Sequence, residues 1–184
     1  MAKPLETDRL LLRRFRPEDA EDCFAFLSDE HSCHWDGGYE PFTAMDEEYA
    51  GLMEKFARQE DRFMMELKAS GKVIGTVNVF ADDRRVVKAM EIGYVVSPAC
   101  RRCGYAYEAV KRVIEYLFQD TQTQLISAGA ISRNLPSLAM LRKLGFSREG
   151  TIRKGFWLPG EGAVDLESFC LEKEHWGVPP RRMV

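Results

Sequence analysis

An α/β or α+β fold, a mixed sheet with interspersed helices, is the class this 184-residue chain predicts. Three observations carry that expectation. Short β-type runs alternate with helical patterns along the chain. The longest helical pattern has one apolar stripe: Ala106, Ala109, Val110, Val113, Ile114 and Leu117 recur at helical spacing. The apolar run from Ile92 to Val96 ends at Pro98, and a short basic loop then leads through Gly104 into that helix.

The elements follow in order. Thr7 to Arg14 reads as a strand. Pro17-Glu18-Asp19 opens a helix, because proline suits a first turn and acids suit the helix dipole there. Its apolar face is Ala20, Cys23, Phe24 and Leu27. His31 to Phe42 holds Gly37, Gly38 and Pro41 and reads as loop. Thr43 is the expected cap of a second helix running to about Arg58. Phe63 to Leu67 and Lys72 to Phe80 form a strand pair turning at Ser70-Gly71, Asp82 to Arg85 is the next turn, and Val86 to Val96 the next strand. After the helix from Tyr105, Gln124 to Ile131 is a buried strand. Asn134 caps a helix with Pro136 early and Gly145 at its end. Phe146 to Trp157 and Ala163 to Leu171 are two last strands around Pro159-Gly160. Residues 175–184 read as a loose tail. The length fits one domain, 1–184.

Composition narrows the class of partner. The chain carries a net charge of −3 and 45% hydrophobic residues, ordinary for a globular protein. Nucleic acid is disfavoured, since its binders show a basic excess. There is no apolar run long enough for a signal peptide or a membrane span. Five cysteines, an odd count, with no leader point to reduced thiols and a cytoplasmic location.

The strand, loop and helix around Gly104 make an anion cradle. The first N–H groups of a helix have no partner within it, and the dipole adds positive charge there. Pyrophosphate is a natural guest. Gly104 permits close approach of the backbone, and Arg101 and Arg102 add charged donors. The nucleoside-triphosphate loop G-x-x-x-x-G-K-S/T and the dinucleotide loop G-x-G-x-x-G are both absent.

Arg101-x-x-Gly104-x-Ala106 resembles the Q/R-x-x-G-x-G/A loop of the GCN5-related N-acetyltransferases (GNAT). Glu91 to Pro98 is similar to that family's central strand. Asn134-Leu135-Pro136-Ser137, then Leu141-Arg142-Lys143-Leu144-Gly145-Phe146, resembles its later N-x-x-S…K-L-G-F segment. The opening Leu5 to Arg13 resembles the ribosomal-protein alanine N-acetyltransferase branch. The blocks stand in family order over nearly the whole chain. The resemblance implies a mixed sheet of six to seven strands with about four flanking helices and acetyl-CoA as cosubstrate, with a homodimer as the family-level expectation. It also implies coenzyme contacts from Val95, Val96, Ser97, Arg101, Arg102, Cys103, Gly104, Tyr105, Ala106, Asn134 and Ser137. Cys103 stands where glycine is frequent in the family, and Ala106 replaces a common second glycine.

Acetyl transfer to an amine sets chemical demands. A lysine-type amine, with a pKa of about 10.4, is neutral in only about 1 molecule in 10³ at pH 7, and a protein α-amine costs far less to deprotonate. A base, a donor for the carbonyl oxygen and an acid for the leaving thiolate are needed. Glu91 is the candidate base, against the plainer reading of a solvated strand-end glutamate. A backbone N–H near Val95, where the family splays its central strands, is the candidate oxyanion donor. Ser137 is the candidate acid, although a serine in a first turn often serves only the local backbone. Tyr94 and Tyr105 are alternatives. Acceptor contacts are expected from Trp35 and Tyr39, with Phe42, Asp36 and Glu40 nearby, and from Glu91, Trp157 and Phe156. The acceptor is an amine-bearing protein N-terminus or small molecule.

Two rival readings stay open. His31, Cys33, His34 and Cys100-x-x-Cys103 have metal-like spacing, but a metal at Cys100 and Cys103 would block the phosphate loop, so no metal is expected. A redox-sensitive loop at those cysteines is the other possibility on the same residues. The alternative to an enzyme is a non-catalytic acetyl-CoA-binding sensor or interaction module.

Overall fold

The computed structural model describes residues 3–36 and 39–177. Eight strands are present among them: β1 (Leu5–Glu6), β2 (Leu10–Arg13), β3 (Arg62–Leu67), β4 (Val73–Ala81), β5 (Ala89–Val96), β6 (Leu125–Ile131), β7 (Ser147–Leu158) and β8 (Gly162–Glu172). The α-helices are α1 (Ala20–Leu27), α2 (Glu30–Asp36), α3 (Glu47–Arg58), α4 (Tyr105–Asp120) and α5 (Leu135–Lys143). The strand order in the mixed sheet is β1-β2-β3-β4-β5-β6-β8-β7; β1–β2, β2–β3, β3–β4, β6–β8 and β7–β8 pair antiparallel, and β5 pairs parallel with β6. The expected mixed α/β class is observed, with more elements than expected.

Each added element has a local cause. The run from Thr7 to Arg14 is broken by a turn in which the Thr7 N–H donates to the Leu10 carbonyl at 3.0 Å. Leu5–Glu6 therefore folds back on Leu11–Leu12 as a separate strand. The segment expected to be loop from His31 contains α2. Asp29 starts that helix, accepting from the Ser32 N–H at 2.8 Å, and Ser32 and Cys33 are buried. Its His, Ser, Cys and Trp residues have modest helix propensity, so tertiary burial decides. Gly37, Gly38 and the tail from residue 178 lie outside the described residues. The cap of α3 is Asp46, not Thr43: the Asp46 carboxylate accepts from the Tyr49 N–H at 3.1 Å.

The fold divides into two compact units, Met1–Val79 with Gly93–Val113, and Phe80–Ile92 with Ile114–Val184. In the first, Cys23, Phe26 and Leu27 of α1 and Tyr49, Met53 and Phe56 of α3 form one cluster with Met64, Val73 and Val95. Phe24 and Ala20, expected on the core face of α1, are partly buried against it. Arg13 is buried here and forks onto Asp19, at 2.7 and 2.8 Å, and pairs with Glu66. In the second unit, Ile114, Leu117 and Phe118 of α4 are buried, as are Ile126 and Ala128 of β6, Leu138 and Leu141 of α5, and Phe169 and Leu171 of β8. The β7–β8 hairpin turns through Pro159 and Gly160, as expected.

Candidate active site

The loop before α4 lies in the first unit. The Ser97 N–H donates to the Ile74 carbonyl at 2.7 Å, and Pro98–Cys100 makes one tight turn. The backbone then passes through left-handed conformations at Arg102 (φ 62°) and Gly104 (φ 83°). Glycine adopts the second freely, whereas arginine at the first costs about 1 kcal/mol or more. Local strain of this kind concentrates at functional sites. α4 then opens at Tyr105 and runs for 16 residues. The first-turn N–H groups of such a helix have no acceptor within it. Arg102, Cys103 and Gly104 are exposed. The segment therefore fits an anionic group held by backbone N–H donors, with Arg102 beside them.

Arg101 is directed otherwise. Its guanidinium pairs with Asp29 and donates to the Ser32 hydroxyl at 2.6 Å. Burial works to raise the Asp29 carboxyl pKa, but the bonds from Arg101 and Ser32 outweigh it and hold the group below its ordinary value. Arg101 thus ties the loop to α2, a link of 72 residues in sequence for which no local signal exists. Trp35, in α2, meets His34 edge to face at 4.7 Å between centroids. Tyr39 and Phe42 pack on the cluster that contains Val95. One glycine that the sequence does not single out lies here too: a Cβ at Gly75 would come within 2.1 Å of the Val95 carbonyl oxygen.

Glu91, Asn134, Ser137 and Trp157 lie in the second unit. Glu91 ends the parallel register of β5 with β6, opposite Ser127. Its carboxylate is partly exposed and accepts from Arg84 at 2.6 Å. Arg84 in turn donates through Nε to Asp82 at 2.6 Å. The Asp82 side chain is fully buried and also accepts from the Ser127 hydroxyl at 2.6 Å. The Arg84 bond pulls the Asp82 carboxyl far below the usual carboxylate range, against the opposing effect of burial. Sequence reading takes Asp82 to Arg85 only as a turn; the network it anchors is tertiary. Asn134 caps α5 by accepting from the Ser137 N–H at 3.2 Å, which is the local role weighed against a coenzyme contact. Trp157, on β7, is 69% exposed.

The five thiols divide sharply. Cys23 and Cys33 are buried, Cys100 and Cys170 partly so, and Cys103 is exposed. Burial pushes the Cys23 thiol far up and the Cys170 thiol to about 11. Among the described residues, no group of three or more His, Cys, Asp or Glu side chains is arranged to hold a metal ion, and no helix is long and apolar enough to cross a membrane.

A strand, an exposed loop with a left-handed glycine and a long helix opening on that loop stand together in an α/β protein. Residues 9–147 match the model of the acetyltransferase (GNAT) domain, and the chain belongs to that family of acetyltransferases. It is similar to an uncharacterized N-acetyltransferase of Bacillus subtilis, YoaA, at 31% identity over 85% of this chain and 89% of that protein. Its fold matches the ribosomal-protein-S5-alanine acetyltransferase of Vibrio fischeri with a TM-score of 0.78, at 21% identity over 97% of this chain and 100% of that one. It also matches the spermidine N-acetyltransferase of Vibrio cholerae, solved with CoA and spermine, with a TM-score of 0.77, at 19% identity over 92% of this chain and 98% of that one. At these identities the two structures speak for the fold alone. The non-catalytic alternative is not favoured by these matches.

Proposed function

We propose that the protein moves the acetyl group of acetyl-CoA directly to a primary amine, on a protein N-terminus or a small molecule. The observation that carries this reading is Gly104, left-handed at the mouth of the 16-residue helix α4, in a loop whose exposed backbone suits a pyrophosphate. The backbone of residues 101–106, with the Arg102 side chain, would hold that group. Val95, Val96 and Ser97 would line the pantetheine arm, with Asn134 and Ser137 as further coenzyme contacts.

Glu91 would take the amine proton, directly or through one water. The Arg84–Asp82 anchor supports this role by fixing where the carboxylate points. The N–H near Val95 would donate to the acetyl carbonyl oxygen as charge develops there. Ser137 would supply the proton to the departing thiolate. Trp35, Tyr39 and Trp157 are proposed acceptor contacts. Direct transfer is proposed over an acetyl-cysteine route, because the sequence shows no recognisable Cys–His pair near the proposed acyl site.

The test is release of free thiol from acetyl-CoA over a panel of peptides with Ala or Ser N-termini, polyamines, amino acids and aminoglycosides. Release with one class establishes the reaction and names the acceptor. Failure of the protein to bind acetyl-CoA in calorimetry overturns the reading.

A further inference from the structure

Arg9, in the turn between β1 and β2, has no part in the reading above, yet its side chain reaches into the coenzyme loop. Nε donates to Glu108 Oε2 at 2.7 Å, one terminal nitrogen lies 2.6 Å from that same oxygen, and the other donates to the Cys103 carbonyl at 3.0 Å. The guanidinium carbon sits 4.3 Å from the centroid of the Tyr105 ring. A Cβ placed on Gly104 would lie 3.4 Å from the guanidinium. One side chain therefore touches or borders Cys103, Gly104, Tyr105 and Glu108, all within the first unit.

Glu108 explains why a cation is needed there. It stands in the first turn of α4. A carboxylate at that position suits the helix dipole but opposes a second anion at the same helix end. Glu108 is also thoroughly engaged, accepting from the Thr7 hydroxyl at 2.6 Å and the Arg9 N–H at 3.0 Å. Burial tends to raise its carboxyl pKa, and the donors from Thr7 and Arg9 more than offset that. The Cys103 carbonyl presents a second partial negative charge beside the cradle, and Arg9 covers it as well.

We infer that Arg9 is a positioning and charge-balancing residue for the coenzyme loop: it holds the backbone at Cys103–Tyr105 in its anion-accepting shape and cancels the Glu108 charge beside the bound pyrophosphate. The inference rests on the reading of this loop as the coenzyme site. Its content is that Glu108 is a liability for anion binding whenever Arg9 is missing.

Calorimetric titration of acetyl-CoA into the wild type, Arg9→Gln, Glu108→Gln and the double variant tests it. Arg9→Gln is expected to weaken binding about tenfold, and the double variant to return to within about threefold of Glu108→Gln. A purely structural staple would not be relieved by removing the acid. Unchanged binding in Arg9→Gln, or a double variant as weak as Arg9→Gln alone, overturns the inference. Arg9→Lys covers the case in which Arg9→Gln does not fold. It keeps the charge but loses the forked contacts, so binding should weaken about threefold, and wild-type binding would overturn the inference. Wild-type protein that binds no acetyl-CoA would overturn the coenzyme reading itself, and this inference with it.

Discussion

Gly75 and the carbonyl of Val95 stand so close that no side chain fits between them: a Cβ on Gly75 would lie 2.1 Å from the Val95 oxygen and 3.0 Å from the Val96 Cα. The obstacle is backbone and cannot rotate away. Gly75→Ala must therefore move a strand. The expected loss is about 3 kcal/mol, at the upper end of the range for overpacking, measured by urea denaturation. Because the displaced residues are the proposed lining of the coenzyme arm, acetyl-CoA affinity should fall in parallel. A variant with wild-type stability would show that the strand yields freely.

At Gly104 the constraint is conformational. Its φ of 83° is strained for any side chain, while a Cβ would only touch Arg9, at 3.4 Å. Gly104→Val is expected to cost at least about tenfold in acetyl-CoA affinity while the remainder of the protein stays folded, since the loop is exposed. Calorimetry gives the affinity and far-UV circular dichroism the fold. Retained affinity in a folded variant would remove the loop from the coenzyme site.

The proposed base gives a kinetic prediction. Glu91→Gln should lower kcat about 100-fold, a typical contribution of general-base catalysis, with acetyl-CoA binding preserved. The loss should be greatest at low pH, where less of the amine is already neutral. Arg84→Gln keeps the carboxylate but removes its anchor, so a smaller loss in the same direction is expected. If Glu91→Gln turns over at the wild-type rate, Glu91 is a surface ion pair and nothing more.

Asp82 links stability to pH. Its folded pKa is depressed below the value of about 3.9 for an unfolded chain. The stabilisation is therefore fully present above that value and is lost as pH falls through the folded pKa. Asp82→Asn should cost about 2–3 kcal/mol at pH 7, as expected for losing charged hydrogen bonds from a buried group. The gap between wild type and variant should narrow as pH drops towards 2. Urea denaturation at pH 7, 4 and 3 measures it, and a gap independent of pH would contradict the assignment.

Much of the frame is legible locally. Of the stripe Ala106, Ala109, Val110, Val113, Ile114 and Leu117, all but the partly buried Ala106 are buried, as the helical spacing predicts. The Asn134 cap is equally local: a side chain and the N–H three residues on. What escapes is decided at a distance. α2 forms because Ser32 and Cys33 are buried, although its composition alone favours a loop. Thr43 and Asp46 are both good caps, and only the position of the α3 core face selects Asp46. Of the candidate site, the Gly104 loop is written in consecutive residues. The partners that shape it are not, since Arg9 and Glu108 lie 99 positions apart, and Arg101 and Asp29 72 apart. Hydrogen bonding of Asp82 to Ser127 depends likewise on β5 and β6 being neighbours.

The uneven exposure of the five thiols makes the protein its own reporter. Cys103 is the exposed one, and it sits in the proposed coenzyme loop, while Cys23 and Cys33 are sealed in the interior. A maleimide dye added briefly near neutral pH should mark that single position on the unaltered chain. Arrival of acetyl-CoA would then be read as a change in brightness or as protection from labelling, without an engineered cysteine. The same thiol adds a fixed background to any assay that counts free sulfhydryls, so thiol release from acetyl-CoA is read against protein alone.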